Sequence, residues 1–123
     1  MKSLSRVFAP LAIALTLALG LAACAPAAPT VPISANTVVV DVRTPAEFST
    51  GHLQGAINID VESTSFDAMV AKLPTTRDYV LYCHSGNRAA LAITRLKARG
   101  FTSTVNAGGL DNAATATGLS IVK

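Results

Sequence analysis

The sequence predicts an α/β domain built on a mostly parallel sheet. Three observations carry that prediction. From Thr37 onward, apolar runs of strand character alternate with stretches of helical periodicity. Thr37-Val38-Val39-Val40 is continuously β-branched, the pattern of a strand covered on both faces. A second apolar run, Tyr79-Val80-Leu81-Tyr82, passes directly into a Cys-headed loop and then into a helical segment.

The elements follow in order. Pro45 to Phe48 predicts a short helical turn, and Gly51 and Gly55 bracket His52 ahead of a short strand over Ala56-Ile57-Asn58-Ile59. Phe66, Met69, Val70 and Leu73 fall on one face of a helix that Pro74 ends. Ala89, Ala92, Ile93 and Leu96 share the face of a longer helix, with Lys97 and Arg99 in its last turn and Gly100 as its stop. Thr102 to Asn106 predicts a further strand, Gly108-Gly109 a turn, and Leu110 to Thr117 a weak helix of Ala and Thr.

The chain divides into three parts. Lys2 and Arg6 precede an apolar stretch from Val7 to Leu21, and small residues stand ahead of Cys24. That order predicts a signal peptide over 1–23. Leu21-Ala22-Ala23-Cys24 resembles the lipobox of bacterial lipoproteins. The resemblance implies lipidation of Cys24 and anchoring in the cell envelope, on the extracytoplasmic side of a bacterial membrane. Residues 24–36, with Pro26, Pro29 and Pro32, predict an extended tether, and residues 37–123 a single domain. Without the leader, the formal charge of +3 falls to +1, and no Lys/Arg run remains to suggest nucleic acid. Acylation of Cys24 would leave Cys83 as the one usable thiol.

The chemistry is concentrated in Cys83-His84-Ser85-Gly86-Asn87-Arg88. A loop between strand and helix turns its backbone amides inward over the positive end of the helix, a nest for negative charge. Thiols so placed form thiolates readily. Gly86 supplies backbone freedom, Arg88 can fork onto an oxyanion, and His84 and Ser85 can add donors from the rim. A cysteine packed in a core needs neither the Gly nor the Arg.

These residues carry a family resemblance. Cys83-His84-Ser85-Gly86-Asn87-Arg88-Ala89 resembles the Cys-x-x-Gly-x-Arg active-site loop of rhodanese domains. The segment from Asp41 to Phe48, followed by Gly51 to Ile59, is similar to that family's other signature, and Asn106-Ala107-Gly108-Gly109-Leu110 to its Gly-Gly turn. The resemblance implies a five-stranded parallel sheet flanked by helices, trimmed at its N-terminal side because the first strand begins so soon after the tether. It implies a sulfurtransferase in which Cys83 takes sulfane sulfur from a small anionic donor such as thiosulfate and passes it to a thiophilic acceptor. The backbone amides of residues 84–88 would cradle the sulfur and Arg88 would position the donor. Asp41, Arg43 and Glu47 would pair or cap the loop as structural support, and His52 would fix a turn. No metal or organic cofactor is implied, and a monomer is expected. Phosphatases of the same architecture have five residues between Cys and Arg. The four here suit a sulfur atom better than a phosphate. The alternative reading is a membrane-anchored persulfide carrier serving a protein partner.

Overall fold

The computed structural model describes residues 29–123. The leader and Cys24 lie outside the described residues. The chain orders as β1 (Thr37–Asp41), α1 (Pro45–Thr50), β2 (His52–Leu53), β3 (Ile57–Asn58), α2 (Phe66–Val70), β4 (Asp78–Cys83), α3 (Asn87–Lys97), β5 (Thr104–Gly109), α4 (Leu110–Thr117) and β6 (Ile121–Val122). Strands β3, β1, β4 and β5 pair in that spatial order, all parallel, while β2 and β6 form a separate antiparallel pair. No helix among the described residues is long and apolar enough to cross a membrane.

Among the described residues the parallel sheet therefore has four strands, where about five were expected. The segment ahead of β1 does not ladder onto β5. Its Val31 amide donates instead to the Ala116 carbonyl of α4 at 2.8 Å, so among the described residues β5 is the outer strand of the sheet. Val31 also packs against the core beneath α4.

Strand alternation explains the two cores. Val40 and Val42, with Tyr79, Leu81 and Cys83, face α2 and α3, where Phe66, Val70, Ala89, Ala92 and Leu96 complete the layer. Val39, Val80 and Tyr82 point the other way, onto Leu53, Ala107 and Ala113. Cys83 and Tyr82 thus belong to opposite faces.

Three local expectations differ. The helix at Phe66 is only five residues long, so Phe66 and Val70 are buried while Met69 is exposed. α3 ends at Lys97, which leaves Arg99 beyond it. Gly108-Gly109 is no free turn but the end of β5, running straight into α4.

Candidate active site

β4 delivers Cys83, fully buried, to the carboxyl edge of the sheet, where ligands of open α/β sheets bind. The chain then crosses His84 and Ser85, both exposed, and reaches Gly86, which caps α3 in the left-handed region at φ +90°. Glycine adopts that conformation without the steric penalty of a side chain. No side chain caps α3, so its leading amides are not satisfied in that way. The Gly86 amide donates to Cys83 Sγ at 2.9 Å. Asn87 is exposed and opens the helix.

β5 packs against the loop from the side. The β4–β5 register slips between Leu81 and Cys83, so that Leu81 faces Asn106 and Cys83 faces Gly109. The His84 carbonyl lies where a Cβ on residue 109 would stand, which leaves room there only for glycine. A polar cavity of about 320 Å³ opens beside the loop, lined by Arg43, His84, Gly109, Leu110, Asp111 and Asn112.

The charged residues of the first signature divide into two pairs. Asp41, fully buried, accepts from the Arg43 amide at 2.9 Å and from its guanidinium at 2.6–3.1 Å. Arg43 Nη2 also donates to the Gly51 carbonyl at 2.6 Å, and the bond to Asp41 raises its pKa. Glu47 leaves this cluster. Thr44 caps α1, its hydroxyl accepting from the Glu47 amide and donating to Glu47 Oε1. The carboxylate then accepts both Arg88 Nη1 and Nη2, at 2.8 and 2.9 Å. This pairing pulls Glu47 down to about 2 and raises Arg88 further. Glu62 adds a second carboxylate 3.7 Å from Arg88. The fork that the sequence assigns to a donor is thus engaged by Glu47. His52 Nδ1 stands 2.9 Å from the Phe48 carbonyl, and its ring stacks on Phe48 at 3.7 Å between centroids.

Sequence reasoning missed one residue that holds the loop and one that holds the opposite face of the sheet. Asn106 bonds both the loop and the glycine pair. Tyr82 accepts the Leu53 amide at 2.9 Å through its hydroxyl. Asn106 stands inside the Gly-Gly motif, yet nothing in its type announces a bond to a residue twenty positions away.

Residues 32–116 match the family described as "Rhodanese-like domain". The chain is 34% identical over 84 residues to "Thiosulfate sulfurtransferase PspE" of Escherichia coli (strain K12), covering 68% of this chain and 80% of that protein. It is 32% identical over 71 residues to a "Sulfurtransferase" of Allochromatium vinosum, covering 58% and 64%. Among solved structures, "rhodanese with anions from E. coli" aligns at a TM-score of 0.59 and 30% identity, over 71% of this chain and 98% of that one.

Proposed function

Since the chain belongs to the rhodanese-like domain family, we propose that Cys83 carries sulfane sulfur, as a persulfide, from a small anionic donor such as thiosulfate to a thiophilic acceptor. The sulfurtransferases among its relatives support sulfur transfer in general. The observation that carries the finer reading is the Gly86 amide, 2.9 Å from Sγ at the head of α3. A sulfur anion held there meets oriented N–H groups and the positive end of a helix.

The thiolate attacks the outer sulfur of thiosulfate. A new S–S bond forms as the old one breaks, and its electron pair departs on sulfite. An acceptor such as cyanide then takes the outer sulfur of the persulfide, leaves as thiocyanate and returns the thiolate. The amides of residues 84–88 cradle the sulfur. Arg88, held through both terminal guanidinium nitrogens by the Glu47 carboxylate, braces the loop from below. The polar cavity beside His84 and Asn112 is the acceptor's approach.

The test is mass spectrometry of the purified protein after thiosulfate treatment. One added sulfur atom mapped to Cys83, absent from Cys83→Ser, is the expected result; sulfur on neither protein would sink the proposal. By the same reasoning the leader pattern supports a lipid anchor at Cys24.

A further inference from the structure

We propose that Asn106 is a positioning residue for sulfur transfer. From the neighbouring strand, its carboxamide holds the Gly86 backbone whose amide meets the sulfur. The kinetic part of this inference rests on the persulfide reading; the structural part does not.

Asn106 lies on β5 opposite Leu81, two residues ahead of Cys83 on β4. Its Nδ2 donates to the Gly86 carbonyl at 2.9 Å, and its Oδ1 accepts from the Gly108 amide at 2.9 Å. The partners themselves decide which end of the carboxamide is which, since a carbonyl only accepts and an amide N–H only donates. One planar group therefore ties the Cys83 loop to the glycine pair at the end of β5.

The position of this tie gives it leverage. Gly86 is joined on its N-terminal side to the sulfur, through its own amide at 2.9 Å. On its C-terminal side its carbonyl accepts from Asn106 and, at 3.0 Å, from the Ala90 amide of α3. A glycine has more backbone freedom than any other residue, so its orientation depends on such external bonds. A side chain cannot take over the task. At Gly86 φ is +90°, a backbone conformation in which any side chain is strained. The carboxamide replaces what local stiffness would supply elsewhere.

Asn106 bonds the loop and the glycine pair and contributes no charge to the site. Its loss should therefore slow sulfur loading and leave donor affinity alone. Asn106→Asp and Asn106→Ala separate its two bonds. The aspartate keeps the size of the side chain and an oxygen for the Gly108 amide, but faces the Gly86 carbonyl with an acceptor. The alanine loses both bonds. Two readouts are needed: pre-steady-state persulfide formation from thiosulfate, and hydrogen exchange of the Gly86 amide by NMR.

Both variants should remain folded and lose about tenfold in limiting loading rate, and in the uncharged Asn106→Ala the thiosulfate concentration for half-saturation should be unchanged. Gly86 amide exchange should quicken by roughly the same factor. Wild-type loading in Asn106→Asp with a slow Asn106→Ala would place the effect in the Gly108 bond and overturn the proposal. A changed half-saturation at constant limiting rate, or unchanged Gly86 exchange, would overturn it too. If the wild-type protein takes up no sulfur, the persulfide reading fails, and Gly86 exchange alone decides whether Asn106 holds the loop.

Discussion

Replacing Glu47 by glutamine removes a charge from beneath the loop while keeping an oxygen for one of the two Arg88 N–H groups. Pairing holds the Glu47 carboxyl at about 2, against an ordinary 4.5. In a dry pair that displacement would correspond to roughly 3 kcal/mol. The Glu47 and Arg88 side chains keep 34% and 23% of their surface in solvent, so screening brings the expected contribution to about 1–1.5 kcal/mol. For a domain of this size, Glu47→Gln should lower the Tm by roughly 5–10 °C near neutral pH. The pH dependence gives the sharper test. A carboxyl whose folded value is depressed stabilises the fold fully above its unfolded value, and that contribution fades as pH falls towards the folded value. The gap between the two proteins should therefore be widest above 4.5 and close as pH approaches about 2. Thermal unfolding followed by circular dichroism across that range measures it. A gap of constant size from about pH 7 to about pH 3 would refute the assignment of the effect to the Glu47 charge.

Three further outcomes are expected. Gly109→Ala sets a methyl group against the His84 carbonyl; chemical denaturation should show a loss of ~1–3 kcal/mol, with sulfur loading of Cys83 reduced as the loop is pushed aside. Tyr82→Phe leaves the buried Leu53 amide without its acceptor and should cost about 1–3 kcal/mol by the same measurement. Its sulfur loading should stay close to wild type, because Tyr82 faces the layer away from Cys83. Cys24→Ser should abolish labelling by a clickable fatty acid and release the protein from the membrane fraction; a variant that is still processed and membrane-bound would rule out the lipobox.

The parts of the fold legible in the sequence are those with long, one-sided patterns. β1 and β4 are unbroken apolar runs, and α3 carries a helical stripe over eleven residues. β2 and β6 were not legible because two residues have no periodicity to read. The Gly108-Gly109 pair reads as a turn because glycine pairs usually are turns; here the slipped β4–β5 register places them in the strand. Cys83, Gly86 and Arg88 were legible as a set because they are close in sequence. Glu47 was legible as support for the loop, but not as the partner of Arg88, and Asn106 only as part of the glycine-pair motif. Glu47 lies forty-one residues from Arg88, and Asn106 twenty from Gly86. Such bonds depend on which strand ends meet at the sheet edge, and local pattern does not encode that.

That edge also divides labour between its two ion pairs. Asp41 and Arg43 are both buried, and the desolvation of such a pair absorbs most of its Coulomb energy. Their bonds to one another and to the Gly51 carbonyl fix the path of the chain from β1 through α1 to β2. Glu47 and Arg88 remain partly in water and span from α1 to the head of α3. Arg88 stands between two carboxylates, Glu47 in contact and Glu62 at 3.7 Å. Its immediate surroundings therefore carry no net positive charge. Under the proposed reading, the amides at the start of α3, which no side chain caps, are left as the main attraction for an incoming sulfur anion. The proposed role of Asn106 therefore predicts that the bond orienting the Gly86 backbone matters more to sulfur loading than the arginine that marks the motif in the sequence.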